Sequence, residues 1–91
     1  MGIKQYHLLI SGRVQGVGYR ASAWEKAQKL GIHGWVKNLP DGRVEMVIAG
    51  EQVTLEHMIS WAEQGPQFAD VSHIDISEQS ATGTQSEFQI R

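Results

Sequence analysis

Ninety-one residues set the scale of one domain spanning 1–91, which buries roughly 60–65% of the surface of its unfolded chain. With no cysteine, the chain excludes a disulfide scaffold, a cysteine-bound iron–sulfur or zinc site, a Cys-x-x-Cys redox pair and a thiol nucleophile; 41% hydrophobic and 20% charged residues exclude disorder, and no apolar run approaches the ~18 residues of a membrane span. The net charge of −2 is uneven: residues 1–46 carry seven basic against three acidic side chains, a net of +4, and residues 47–91 carry Arg91 against seven acids, a net of −6, which points to a localised anion site unless the fold intermixes the halves.

Ile3 to Ser11 is the first predicted strand, with Tyr6, Leu8 and Ile10 alternating against His7 and Leu9. Gly12-Arg13-Val14-Gln15-Gly16-Val17-Gly18 follows as a glycine-rich loop. Tyr19 to Leu30 has helical spacing in Ala23, Ala27 and Leu30, and Gly31 stands where a helix-ending glycine belongs. Ile32 to Leu39 reads as a strand with Ile32, Gly34, Val36 and Asn38 on one side. Pro40-Asp41-Gly42 turns the chain, and Arg43 to Ala49 returns as the second arm of a hairpin. Glu51 to Gln64 is a second helix, with Leu55, Met58, Ile59 and Ala62 on one stripe, ended by Gly65-Pro66. Ala69 to Ser77 is a strand, Ser77 to Ser86 a polar loop, and Glu87 to Arg91 a short edge strand.

This order, β-α-β-β-α-β plus a short C-terminal strand, is that of an α+β, ferredoxin-like split βαβ fold: an antiparallel sheet with two helices on one face. Right-handed crossovers make the first and second strands parallel, with the third between them. Their C-terminal ends then share one edge, two strand steps or about 10 Å apart. The glycine loop and Arg20 follow the first end and Asn38 lies at the second, so an arginine and an asparagine converge there.

A glycine-rich turn entering a helix N-terminus presents backbone N–H groups and positive potential to an anion, and an arginine fork matches two phosphate oxygens. The same loop could simply connect strand to helix, although its seven residues exceed what a connection needs. It is not a Walker A loop, because only three residues separate Gly12 from Gly16 and no Lys-Ser/Thr follows. Gly16-x-Gly18-x-x-Ala21 matches the loose dinucleotide fingerprint, but so short a chain cannot hold a doubly wound sheet.

Gly12-Arg13-Val14-Gln15-Gly16-Val17-Gly18-Tyr19-Arg20 resembles the first signature of the acylphosphatases, and Gly34-Trp35-Val36-Lys37-Asn38-Leu39-Pro40-Asp41-Gly42-Arg43-Val44-Glu45 resembles their second. The likeness extends through Trp61 and Gly65-Pro66 to Phe88-Gln89-Ile90-Arg91. Tyr19 stands where many members have phenylalanine, and Gln67 where a second proline is common. The resemblance implies hydrolysis of an acyl phosphate to a carboxylate and inorganic phosphate. It implies a phosphate cradle of backbone amides from Gln15, Gly16, Val17, Gly18, Tyr19 and Arg20. Arg20 matches the catalytic arginine and Asn38 the asparagine that positions the attacking water. It further implies no metal, no other cofactor, no covalent intermediate and a monomer.

Such chemistry suits these residue types. Phosphoryl transfer is chiefly positioning and charge stabilisation, and a carboxylate leaves without a general acid. Asparagine can orient water through its amide but cannot act as a base, so the proton passes to an oxygen of the substrate. His7, His33, His57 and His73 lack metal-ligand spacing, and Ser11, Ser22 and Ser60 lack an adjacent base. Trp24 is expected to pack between helix and sheet, Trp61 to be partly exposed, and Tyr19 to pack beneath the loop. Lys37 and Arg43 are expected as solvated strand charges that could also add positive potential near the site. The third strand carries no aromatic platform for RNA, and nucleic acid and membrane are not expected partners. With no signal-peptide pattern at the N-terminus, the expected compartment is the cytoplasm. A module that binds phosphate or an acyl phosphate without hydrolysing it is the alternative to the enzyme.

Overall fold

Alternation in the strands and helical spacing between them give every segment one apolar side, and a computed structural model shows how those sides meet. The structure describes residues 2–81 and 87–91. The elements are β1 (Lys4–Arg13), α1 (Tyr19–Leu30), β2 (His33–Asn38), β3 (Val44–Gly50), α2 (Gln52–Gln64), β4 (Asp70–Gln79) and β5 (Phe88–Ile90). They form one five-stranded sheet in the order β4-β1-β3-β2-β5. β3 lies antiparallel to both β1 and β2, with Ile10 and Asn38 each opposite Val44.

The antiparallel sheet expected from the sequence is a mixed one. β5 runs parallel to β2, with Gly34 opposite Phe88 and Val36 opposite Ile90. The direction follows from where β4 ends. Its last residue, Gln79, pairs with Gln5 near the start of β1, at the end of the sheet where β2 also starts. A strand that enters from that end and settles beside β2 must run the same way as β2. The polar loop expected from Ser77 begins as strand instead: Ser77, Glu78 and Gln79 pair with His7, Tyr6 and Gln5. Their polar side chains suit an exposed edge, so composition alone conceals the backbone ladder. Residues 82–86, the rest of that expected loop, lie outside the described residues.

α1 packs on β2 and β5, α2 on β3 and β4, and the helices touch each other, so both cover the same face. The core between them takes Leu8, Ile10, Val36, Met46, Ile48 and Phe88 from the sheet and Ala23, Ala27, Leu55, Met58 and Ala62 from the helices, each 0–2% exposed. Beyond Tyr19 at its start, α1 buries only alanines, Ala23 and Ala27, in the core, which lets that helix sit close to the strands. The helix ends in a Schellman motif, with Gly31 N–H donating to Gln28 O and Ile32 N–H to Ala27 O. Trp24 is not packed between the layers as expected. It is 40% exposed, and its indole N–H donates to Phe88 O at 3.1 Å, which ties α1 to β5.

Candidate active site

β1 and β2 deliver their C-terminal ends to the same edge of the sheet, and the site is built there. At Ser11–Gly12 the register between β1 and β4 shifts. Such an irregularity bends and twists the strand, and here it precedes the loop that leads to α1. Within the loop, Gly16 and Gly18 have φ of +75° and +78°. A Cβ added at either position would meet nothing within 4 Å, so glycine is required by the backbone conformation and not by lack of room. Gly18 is also the N-cap of α1, in the left-handed region.

That choice of cap leaves the helix start open. Gly18 supplies no capping side chain, and the first turn holds no acid. The first backbone bond of the helix runs from Ser22 N–H to Gly18 O. The N–H groups of Tyr19, Arg20 and Ala21 therefore precede the intrahelical ladder and are free to meet an anion.

Tyr19 anchors the loop from below, as expected. Its ring is buried against Trp61, with centroids 5.2 Å apart, and its hydroxyl donates to Ala62 O at 2.8 Å. Burial pushes its pKa well above the ordinary tyrosine value of 10.0, so the phenol stays neutral. Arg20 turns outward from the same helix start. It is half-buried and forms no ion pair among the described residues; its Nη1 donates to Arg91 O at 3.2 Å. Arg43, by contrast, is held by Asp41 at 2.9 Å. The Arg43 backbone N–H, helped by its guanidinium, keeps the Asp41 carboxyl below its usual pKa. Lys37 faces Glu45 at 3.6 Å and lies 5.6 Å from the centre of the Trp35 ring.

A cavity of about 240 Å³ lies between the loop and the end of β2, with Gln15, Gly16, Gly18, Arg20 and Asn38 in its walls. The pockets that take drug-sized ligands hold about 300–1,000 Å³, so this one suits a small molecule. A larger cavity of about 420 Å³ lies near Gln5, Leu30 and Glu51, away from the glycine loop, and holds none of these groups. The Oδ1 atom of Asn38, like Oε1 of Gln5 at the far end of β1, is buried without a hydrogen-bond partner among the described residues. An unpaired buried amide oxygen costs about 1–3 kcal/mol, a cost that functional sites tolerate when a ligand or water completes the bond.

Two signatures in order, an open helix start, an arginine in no ion pair among the described residues and an asparagine in the wall of the same small cavity form a single constellation. The acylphosphatase family model matches residues 6–90. The chain belongs to the acylphosphatase family. The acylphosphatase of Methylococcus capsulatus is 48% identical over 88 residues, covering 97% of this chain and 96% of that one. The crystal structure of acylphosphatase from Bacillus subtilis matches with a TM-score of 0.93 at 35% identity, covering 97% of this chain and 98% of that one. An acylphosphatase structure from Coxiella burnetii matches with a TM-score of 0.92 at 38% identity, covering 98% and 93%. Membership makes the protein an enzyme, a hydrolase of small acyl phosphates, and the alternative of a purely sensing module gives way to it.

Of the residues that the acylphosphatase signatures single out, Gln15, Gly16, Gly18, Tyr19, Arg20 and Asn38 border the cavity. Val17 is not in its lining; its side chain packs against the core beside the loop. The structure also adds two features that sequence reasoning missed. Ile90, 46% exposed on β5, forms an apolar lip of the cavity. The Phe88–Ile90 alternation signals a strand but not the edge it joins. The side chain of Gln15 bonds to the β2–β3 hairpin, whereas the signature singles out only its backbone.

Proposed function

We propose that this acylphosphatase hydrolyses its substrate through the backbone cradle from Gln15 to Arg20, the Arg20 guanidinium and a water held by Asn38. The observation that carries this assignment is that Asn38, Arg20 and the glycine loop line one small cavity, with the Asn38 Oδ1 atom buried and without a hydrogen-bond partner among the described residues. The cradle N–H groups and Arg20 bind the non-bridging phosphoryl oxygens, where charge grows in the transition state. The Asn38 carboxamide hydrogen-bonds the water and aligns it on phosphorus. The water oxygen bonds to phosphorus as the bond to the acyl oxygen breaks, and the bonding pair leaves with the carboxylate.

No carboxylate or imidazole lines the cavity among the described residues. The water proton therefore passes to a non-bridging phosphoryl oxygen of the substrate itself. The reading includes a reaction without a metal; no group of three His, Asp or Glu side chains that could hold a metal occurs among the described residues. The small cavity supports a small-molecule substrate, and nucleic acid has no part in this reading. The same reading has the enzyme act as a monomer in the cytoplasm; no helix among the described residues is long and apolar enough to cross a membrane.

The test is release of inorganic phosphate from benzoyl phosphate with and without excess EDTA. Equal rates in both are expected. Loss of turnover with EDTA overturns the metal-independent step, and binding without turnover overturns the assignment of Asn38 and Arg20 as catalytic residues.

A further inference from the structure

The hairpin that carries Asn38 closes on its own bonds. Leu39 N–H donates to Arg43 O at 2.8 Å, and Gly42 N–H donates to Leu39 O at 3.2 Å. Both carbonyls at the hairpin mouth thus have a partner within the hairpin. The Gln15 carboxamide nevertheless uses both hydrogens of Nε2 on the same pair, reaching Leu39 O at 2.8 Å and Arg43 O at 2.9 Å. These bonds are not needed to satisfy the hairpin. What they add is a link from the phosphate loop to the two residues next to the Asn38–Val44 pair: Leu39 follows Asn38, and Arg43 precedes Val44.

We propose that the side chain of Gln15 is a positioning residue that fixes the distance between the phosphate cradle and the water-holding Asn38. Gln15 leads into Gly16 and borders the same cavity as Asn38. A single planar amide that grips two fixed carbonyls leaves the loop little freedom to slide along the hairpin. Without it the loop remains attached through β1 and α1, and the hairpin through β2 and β3, but no described side-chain bond from the loop sets the gap between them. Since displacements of about 1 Å between reacting groups can cost around 100-fold in rate, this strut acts on turnover and not on phosphate affinity. The role presupposes that Asn38 holds the water.

The test is a double-mutant cycle with benzoyl phosphate as substrate and inorganic phosphate as competitive inhibitor. Gln15→Met keeps the side chain's length and removes both donors. It is expected to lower kcat about 10–100-fold with the phosphate inhibition constant changed less than about threefold. In an Asn38→Ala background, where there is no held water left to place, the same substitution should change kcat less than about twofold. Should Gln15→Met fail to fold, Gln15→Asn provides the same cycle, because it keeps the donors but falls one methylene short of the carbonyls. Equal losses in both backgrounds, no loss in the parent, or a phosphate constant that rises in step with the loss of turnover would each overturn the proposal. Unchanged turnover in Asn38→Ala alone would remove the assignment beneath it, an outcome distinct from equal losses in a cycle where Asn38→Ala is itself impaired.

Discussion

Two regions of the molecule handle their charges differently. On the sheet face away from the helices, the charges are matched. His7 Nε2 lies 2.7 Å from Glu45, Lys37 lies 3.6 Å from the same carboxylate, and the Lys37 ammonium and Arg91 guanidinium stand 5.6 and 4.9 Å from the centre of the Trp35 ring. At the loop end, among the described residues, Arg20 has only the carbonyl of Arg91, the helix start has no side-chain cap, and Asn38 keeps an unpaired oxygen. The +4 charge of residues 1–46 is therefore a poor map of the site. Lys37 and Arg43 are both paired with acids, and in the proposed mechanism the pull on an anion comes from one arginine and a set of backbone N–H groups. What distinguishes the loop end is that an open helix start, Arg20 and Asn38 gather around one cavity, whereas on the sheet face the polar groups satisfy one another.

That contrast predicts a graded response to substitution. The largest effect belongs to Arg20→Gln, which removes the cation facing the phosphoryl oxygens. Its kcat/KM for benzoyl phosphate should fall by roughly 1,000-fold or more, with weaker inhibition by phosphate. Comparable activity in a folded Arg20→Gln enzyme would erase the distinction between the two ends.

Tyr19→Phe should act on stability instead. Loss of the bond to Ala62 O costs about 1 kcal/mol, measured by urea unfolding near neutral pH. The sign of its pH dependence follows from burial. As pH rises past the ordinary tyrosine pKa of 10.0, the unfolded chain releases the Tyr19 proton while the folded protein keeps it. The parent enzyme therefore loses stability with rising alkalinity, and Tyr19→Phe should show a shallower loss. Identical alkaline slopes would show that the phenol is not held neutral by the fold.

The smallest effect belongs to the matched face. Lys37→Met removes a surface ion pair and a cation beside Trp35; stability should change by less than about 1 kcal/mol and kcat by less than about twofold. A large loss of activity there would mean that the open face takes part in the reaction.

Much of this arrangement is legible in the sequence because it rests on local signals. Alternation in Tyr6, Leu8 and Ile10, the Leu55–Met58–Ala62 stripe and the Pro40-Asp41-Gly42 turn specify elements that occur where they are expected. The meeting of Arg20 with Asn38 follows from the parallel direction of β1 and β2. The direction of β5 is less accessible, since three residues carry too little pattern to choose a partner, and only the end point of β4 decides it. The Gln15 bonds are hidden for another reason. A glutamine beside glycines reads as loop backbone, and its amide acquires meaning only when residues 24 and 28 positions away come within reach. The pairing of Lys37 and Arg43 is likewise a matter of register and turn geometry, which charge counts do not contain.

The central claim is that Asn38 serves the water and the loop end serves the phosphate. Steady-state kinetics of Asn38→Ala with benzoyl phosphate, alongside competitive inhibition by inorganic phosphate, tests it most directly. A fall in kcat of about 100-fold or more, with the phosphate constant unchanged within about threefold, is the expected result. Turnover equal to that of the parent, or a loss fully accounted for by weaker phosphate binding, would contradict it.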